Sequence, residues 1–166
     1  TARLFLLFVA SPESNVEWSD EGVEGISRFV KRVMGMNVNE KTNEKLEHYR
    51  NKFVRDITKD IEEFKFNLAI IKLQKWASLL NERCDKESYK DLIAILSVFT
   101  PHIAEEMWEK IGGKGFVSVA SWPEFDEKKI KEEFDKIEKV IVAFPGIISP
   151  CSNLKAIFPF NDSEAL

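Results

Sequence analysis

The chain has 166 residues, of which 44% are hydrophobic, so it can bury one substantial core and a single main domain is the simplest expectation. Its two cysteines, Cys84 and Cys151, offer neither a disulfide framework nor a zinc-ligand spacing, which is typical of a reducing compartment. No apolar run approaches the roughly 20 residues needed to span a bilayer. We therefore expect a cytoplasmic protein without a membrane partner.

The net charge is −4, but it is unevenly distributed along the chain. Between Gly25 and Arg83 there are 13 Lys and Arg residues against 8 Asp and Glu residues, a net charge of +5, whereas the flanks together carry −9. An anionic partner for the middle of the chain would account for this asymmetry. Ordinary solvated helix faces would account for it as well, and charge alone favours that second interpretation.

An apolar run over residues 4–9 predicts a short buried helix or strand, which periodicity cannot separate. The run is too short for a convincing signal peptide, and no leading Met precedes it, so we expect a piece of a longer protein. After a loop, Ser19 is the predicted N-cap of a first amphipathic helix, which Gly35 ends. Its core stripe consists of Val23, Ile26, Phe29, Val30, Val33 and Met34, and Arg28, Lys31 and Arg32 lie opposite.

Three further helices are predicted in the basic middle of the chain and just after it. A long second helix covers residues 41–64 and carries an apolar stripe from Leu46 to Phe64. Asn67 is the predicted N-cap of a third helix. Ser88 with Asp91 is typical of a capping box for the fourth helix.

Residues 99–113, FTPHIAEEMWEKIGG, predict a fifth helix with Thr100 as N-cap and Pro101 in the first helical position. Its core stripe is Ile103, Ala104, Met107, Trp108 and Ile111, and its polar side carries His102, Glu105, Glu106 and Glu109. A metal or acid–base site is the alternative for this polar side. Zinc-protease helices need two histidines four residues apart, whereas this chain has only His48 and His102. We therefore predict no catalytic residue and no metal ligand.

Past Gly113 the character of the sequence changes. Residues 116–126, FVSVASWPEFD, predict an extended or looped segment fixed by Trp122 and Pro123. A charged helix over residues 127–139 and two short strands, VIVAF and LKAIF, are predicted to follow. The predicted fold is all-α, an antiparallel bundle of four to five helices with a small extended C-terminal segment. One core is expected to hold Phe53, Leu73, Leu96, Met107, Trp108 and Ile111.

Three blocks of the sequence resemble class I leucyl-tRNA synthetases, chiefly of bacterial type. The run TARLFLLFVASPESNVEWSDEGVEGISRFVKRV resembles the segment that follows the ATP-site lysine loop of that family. DIEEFKFNLAIIKLQKWASLLN is similar to its "FNTAI" helix, and the fifth helix followed by VSVASWPEFD is similar to its "PHIAEELW … WP … D" ending. Isoleucyl, valyl and methionyl enzymes share parts of the second and third blocks, whereas VEWSDEGVEG points to the leucyl enzyme. The resemblance covers about residues 1–127.

The resemblance implies a helical anticodon-binding domain over residues 19–126, which residues 1–18 connect to a catalytic Rossmann domain. Residues 127–166 would form the charged helix and a C-terminal extension. The family's nucleotide-binding signatures, "HIGH" and "KMSKS", are absent, so ATP, Mg²⁺ and leucine activation would belong to the full-length aminoacyl-tRNA ligase. No cofactor is expected in this chain. Two departures stand out: residues 31–34 read KRVM where the family commonly has NRVW, and no QVNGK-type segment follows residue 127.

In this family the helical domain positions leucine tRNA and does not read its anticodon, so the resemblance implies contacts with the phosphate backbone. The predicted tRNA contacts are Arg28, Lys31 and Arg32 on the first helix, Arg50, Lys52 and Arg55 on the second, and Lys72 and Lys75 on the third. For each of them a solvated charge is the alternative. Four tryptophans could stack on bases, but core or interdomain packing is favoured for all of them: Trp18, Trp76, Trp108 and Trp122.

Three other functions remain open. The chain could be the equivalent domain of an isoleucyl-, valyl- or methionyl-tRNA synthetase. It could also be a stand-alone helical interaction module whose exposed apolar groove binds a partner helix, which predicts no salt-sensitive RNA binding. A small enzyme built on the His102 helix is disfavoured by the missing second histidine. For the main reading, the expected partners of a monomeric chain are leucine tRNA and the catalytic domain of the same enzyme.

Overall fold

The structure is a computed structural model that describes residues 1–9, 18–81, 84–131 and 134. Within these residues the chain forms six α-helices: α1 (Ala2–Val9), α2 (Asp20–Met34), α3 (Glu44–Glu62), α4 (Phe66–Leu80), α5 (Lys86–Leu96) and α6 (Pro101–Lys110). Two short strands, β1 (Val38–Glu40) and β2 (Cys84–Asp85), pair in parallel. Single 3-10 turns cover Val117–Val119 and Glu127–Lys129. The first compact unit of the chain runs from Thr1 to Lys131.

The core of this unit lies between α4 and its neighbours, since α4 packs against α1, α3 and α5. At its centre Trp76 is fully buried, and its ring stacks on Phe53 with 5.9 Å between the centroids. The predicted all-α fold is confirmed, with six helices in the described residues where four to five were predicted. Five members of the predicted core are buried and Ile111 packs partly buried against it; the five are Phe53, Leu73, Leu96, Met107 and Trp108.

Two predicted helix starts are wrong because a different residue begins the helix or supplies the cap. Asn67 lies inside α4 and is buried, since the helix begins at Phe66. At α5 the Asp85 carboxylate accepts hydrogen bonds from the backbone N–H groups of Glu87 (3.1 Å) and Ser88 (3.0 Å). Ser88 is therefore inside the helix and buried, and it cannot form the predicted capping box with Asp91. The N-cap of α5 is therefore Asp85, three residues before the predicted Ser88.

The remaining element predictions are mostly close to the structure. The ambiguous run at the N-terminus is a helix, α1. Pro101 is the first residue of α6 as predicted, although the Thr100 hydroxyl donates to the Leu96 carbonyl (3.3 Å) and makes no cap bond. The charged helix predicted from residue 127 starts as a single 3-10 turn, and Ile130 after it is extended. Most of that helix and both predicted C-terminal strands lie outside the described residues, and the predicted domain boundaries stay predictions.

No helix in the described part of the chain is long and apolar enough to cross a membrane.

Two glycines of α2 provide a matched test of the α1–α2 packing. A Cβ on Gly22 would lie 2.5 Å from Cε2 of Phe5, which is buried, whereas a Cβ on Gly25 would meet nothing closer than Arg28 at 3.9 Å. We expect Gly22→Ala to lower the free energy of unfolding by about 1–3 kcal/mol through overpacking. Gly25→Ala should raise it by up to about 1 kcal/mol through helix propensity. Urea midpoints measure both, and equal effects of the two changes would contradict this packing of α1 on α2.

Candidate nucleic-acid interface

Arg28, Lys31 and Arg32 lie on the outer side of α2, opposite its buried stripe, and we call these three residues the α2 basic face. The Ser19 hydroxyl starts the helix by accepting from Gly22 N (3.1 Å). Lys31 and Arg32 fall in the last turn, where the helix dipole favours positive charge. Arg28 pairs with Glu24 at 3.1 Å, but both side chains are mostly exposed. Such a surface pair is worth about 0–1 kcal/mol, so a phosphate can replace the carboxylate as partner of Arg28.

Arg32 links the α2 basic face to α4. Its Nη1 donates to Ser78 Oγ at 3.2 Å, and Ser78 Oγ in turn donates to the Gln74 carbonyl at 2.9 Å. Lys75 precedes Ser78 by three residues, so the two side chains share one side of α4, and Lys75 is exposed. The structure therefore brings four of the eight predicted contacts to one region: Arg28, Lys31, Arg32 and Lys75.

Three other predicted contacts have carboxylate partners inside the fold. Arg50 Nε lies 2.5 Å from Asp91 Oδ2 and joins α3 to α5. Lys72 Nζ lies 2.6 Å from Asp60 Oδ2 and joins α4 to α3, where it also donates to a backbone carbonyl. Arg55 lies 2.8 Å from the carboxylate of Asp56 and 3.9 Å from that of Glu127. Lys52 is half-buried on α3. A role for these side chains in RNA binding stays a prediction, and the carboxylate partners of the first three favour a structural role.

Arg50→Ala is expected to lower the free energy of unfolding by about 2–3 kcal/mol at neutral pH, because Asp91 would stay buried without its cation. Burial already raises the pKa of Asp91, against the opposing effect of Arg50. A carboxyl whose folded-state pKa is raised destabilises the fold when ionised, and protonation relieves the penalty. The loss should therefore shrink as the pH falls towards the raised pKa. Urea denaturation from about pH 7 to about pH 4.5 measures it, and a loss that grows at acidic pH would contradict this account.

The polar side of α6 serves the structure of the following loop. The Glu105 carboxylate accepts hydrogen bonds from the backbone N–H groups of Val117 (2.8 Å) and Ser118 (3.1 Å). Burial acts to raise the pKa of Glu105, but hydrogen bonds to the carboxylate outweigh it and the pKa is lowered. Glu106 pairs with Lys110 at 2.8 Å. The sequence pattern did not predict this role of Glu105, because its hydrogen-bond partners lie 12 and 13 residues away in the sequence.

The histidines and Cys84 are the candidates for metal or nucleophilic chemistry in the described part of the chain. Among those residues, no group of three or more His, Cys, Asp or Glu side chains could hold a metal ion. His102 is exposed on α6, whereas His48 is fully buried on α3. Burial, with a contribution from the neighbouring Asp85 charge, raises the pKa of the Cys84 thiol to about 12, so that it stays protonated at neutral pH.

Residues 117–131, which we call the strap, cross α3 after α6 ends. Three polar side chains of α3 accept hydrogen bonds from the strap: Thr58 from Trp122 Nε1 (2.9 Å), Asn51 from Asp126 N (2.6 Å) and His48 from Lys131 N (2.9 Å). Trp122 is 40% exposed and Trp18 is 59% exposed, whereas Trp76 and Trp108 are buried as predicted. The packing roles predicted for Trp18 and Trp122 stay predictions.

An apolar groove, which we call the α1 groove, lies at the start of the fold. Its lining combines α1 with the first residue of α4 and the turn after α5: Arg3, Leu6, Leu7, Phe66, Val98 and Phe99. Leu6 and Val98 are exposed to 54% and 37%. Phe64 stands beside the groove with its ring edge-on to Phe66, 5.9 Å between the centroids, and is itself exposed. Exposed apolar side chains grouped around a groove are typical of interaction surfaces and of ligand-binding grooves.

Comparisons with known proteins place these features in a family. Residues 43–149 match the family described as the anticodon-binding domain of tRNA ligase. A leucine–tRNA ligase of Prochlorococcus marinus strain NATL1A is 36% identical, over 82% of this chain and 19% of the relative. A leucine–tRNA ligase of Fervidobacterium nodosum is 33% identical, over 80% of this chain and 20% of the relative. The chain thus spans about a fifth of the length of these curated relatives.

A solved structure shares the fold. It is the ternary complex LeuRS–tRNA–LeuAMS from Agrobacterium radiobacter K84, with a TM-score of 0.61 and 21% sequence identity. The likeness covers 89% of this chain and 25% of that chain. Because the family match extends over more than half of the residues and curated relatives align along most of the chain, the protein belongs to the anticodon-binding domain family of tRNA ligases.

Proposed function

We propose that the chain is the tRNA-binding helical domain of a leucyl-tRNA synthetase and positions leucine tRNA for aminoacylation elsewhere in the enzyme. The observation that carries this proposal is the α2 basic face, a row of Arg28, Lys31 and Arg32 on a rigid helix of a chain with net charge −4. The curated relatives are leucine–tRNA ligases, and the solved complex with the same fold contains tRNA, which supports the assignment.

Positioning needs contacts with phosphates more than contacts with base edges. Lysine and arginine side chains that neutralise phosphates supply an affinity that depends on salt and little on sequence. The α2 basic face is suited to such contacts: Lys31 is exposed, Arg28 pairs with a surface carboxylate, and Arg32 is oriented by Ser78. The domain would then hold the body of the tRNA while the acceptor end reaches the catalytic domain.

The α1 groove is the proposed contact with that catalytic domain. Its exposed Leu6 and Val98 provide apolar area for a partner segment, and Arg3 adds a positive charge at the same place. We propose a monomeric cytoplasmic enzyme in which ATP and Mg²⁺ bind the catalytic domain. They do not fit this chain, whose described residues hold no cluster of metal-binding side chains and whose sequence has no glycine-rich phosphate loop. No step of leucine activation is assigned to the chain.

Filter binding of the 166-residue chain to leucine tRNA across a salt series tests the proposal. Without the catalytic domain we expect affinities in the micromolar range or weaker, as for non-specific contacts. Replacing the three residues of the α2 basic face by alanine should reduce the slope of log affinity against log salt by roughly three, about one for each phosphate that is no longer neutralised.

The matched control for this test is Lys59, Lys65 and Lys128 changed to alanine, which removes the same charge from three other exposed sites. The control should keep the wild-type slope. Binding that is absent at every salt concentration would contradict the proposed function and favour a helical protein-interaction module. Equal effects of the two triple variants would show that only net charge matters.

A further inference from the structure

A second group of lysines meets where β1, β2 and α5 join. The parallel pairing places Glu40 beside Asp85 at the ends of the two strands. Lys41, which follows β1, and Lys86, which begins α5, therefore leave the strand pair from the same end. The Thr42 hydroxyl donates to Asp85 Oδ1 at 3.2 Å and fixes this junction. Both lysine side chains are exposed. Two cations that are far apart in the sequence are thereby brought together by a short strand pair.

Two further lysines follow, one on α5 and one in the turn after α6. Lys90 lies one helical turn beyond Lys86, on the same side of α5. Its Nζ stands over the ring of Trp108, 5.6 Å from the centroid. Gly113 packs on the same indole, since a Cβ there would lie 2.3 Å from Nε1, and Lys114 follows it with an exposed side chain. We call Lys41, Lys86, Lys90 and Lys114 the lysine stripe.

These lysines differ from the cations of α3 and α4 in their partners. Within the described ranges of the chain, Lys41, Lys86 and Lys114 have no carboxylate within ion-pair distance, whereas Arg50, Arg55 and Lys72 each have one. The nearby Asp85 carboxylate is buried and is used by Thr42 and by the start of α5. Glu87, next to Lys86, is exposed. Three of the four lysines of the stripe therefore present their charge without an ion-pair partner among the described residues.

We propose that the lysine stripe is a second contact with the phosphate backbone of the tRNA, on elements other than the α2 basic face. The inference rests on the proposed function and deepens it. Lysine suits this task because its ammonium group binds phosphate as a point charge without needing fixed geometry. Neighbouring side chains one helical turn apart are about 5–6 Å from each other at Cβ, so they can follow successive phosphates of one strand.

The two basic surfaces are held at a fixed spacing. Tyr89, next to Lys90, is buried and donates from its hydroxyl to the Val33 carbonyl in the last turn of α2, at 2.9 Å. This bond ties α5 to the helix that carries the α2 basic face. A tRNA backbone bound at both surfaces would have a defined orientation on the domain. A single contact would attract the backbone but would let it rotate about that contact.

The test compares two triple variants of the 166-residue chain in tRNA binding across a salt series. The stripe variant carries Lys41→Gln, Lys86→Gln and Lys114→Gln, and leaves Lys90 and the Trp108 contact intact. The control carries Lys59→Gln, Lys65→Gln and Lys128→Gln, with the same net charge. We expect the stripe variant to lose about two to three units of the salt slope and at least about tenfold in affinity at about 0.15 M salt. The control should keep the wild-type slope, and both variants should keep the wild-type urea midpoint.

The outcomes separate this inference from the proposed function. If the stripe variant binds tRNA like the control while the α2 variant loses affinity, the stripe inference is wrong and the proposed function stands. If the wild-type chain binds no tRNA, both are wrong. Polyglutamate serves as a probe for the alternative of an acidic protein partner. Loss of polyglutamate binding in the stripe variant with unchanged tRNA binding would also overturn the inference.

Discussion

Trp108→Ala is expected to lower the free energy of unfolding by about 3–5 kcal/mol, the range for truncating a large aromatic side chain in a core. Trp108 is only 5% exposed, and it is enclosed on one edge by Gly113. A Cβ at residue 113 would clash with the indole, so the backbone of the turn after α6 packs directly on the ring. Truncation of Trp108 would leave a cavity beneath this turn, and the turn could fill the cavity only by changing its backbone conformation. Urea denaturation followed by far-UV circular dichroism measures the change.

The control for this experiment is Trp18→Ala, which removes the same side chain at a site that is 59% exposed. Trp18 contacts Phe5 edge-on and donates to the Asp20 carboxylate at 2.8 Å, so some loss is expected there too. The loss should be well below that of Trp108→Ala because most of the ring stays in water in the folded state. Similar losses at the two sites would contradict the placement of Trp108 in the core.

The second large effect is expected in a complete leucyl-tRNA synthetase that contains this domain. Changing Arg28, Lys31 and Arg32 together to alanine should reduce tRNA charging at subsaturating tRNA by at least about tenfold at physiological salt, since the three proposed phosphate contacts are removed. Leucine-dependent ATP–pyrophosphate exchange should be unchanged, because activation takes place in another domain. The pair of assays separates a defect in tRNA binding from a defect in folding or catalysis.

Measuring the charging rate as a function of tRNA concentration separates an effect on KM from an effect on kcat. The loss should appear in KM more than in kcat, since the contact that we propose for the α2 basic face is with the body of the tRNA and not with the reacting atoms. Normal charging in the triple variant would mean that these cations are only a solvated surface. Loss of the exchange reaction as well would point to a general defect of the enzyme and would contradict a role confined to tRNA.

Much of the fold follows from the sequence because apolar spacing is a local property. The stripes of α2 and α6 place Phe29, Val33, Met107 and Trp108 in the core, and all four are buried. Helix starts are harder to predict, since several polar residues compete for each cap. At α5 both candidate caps, Asp85 and Ser88, are buried, and the cap is the one whose oxygen meets the free backbone N–H groups where β2 ends and the helix begins. A single-sequence pattern does not locate that boundary to within a few residues.

The candidate site is only partly predictable for a related reason. The row on α2 follows from helical spacing alone, and the structure keeps Arg28 and Lys31 exposed. By contrast, the carboxylate partner of Arg50 lies 41 residues away in the sequence. The neighbourhood of Lys41 and Lys86 depends on strands of 3 and 2 residues, which are too short for a period-two pattern.

The strap has a consequence for the order of folding and for the design of shorter versions of the domain. Its three bonds to α3 join positions 64, 75 and 83 residues apart, so a long loop must close before they form. We expect the helices to assemble first and the strap to close last. A version of the chain that stopped at the end of α6 would keep every helix but would remove the donors to His48 and Asn51, both buried. The smallest stable piece of this protein should therefore extend to Lys131.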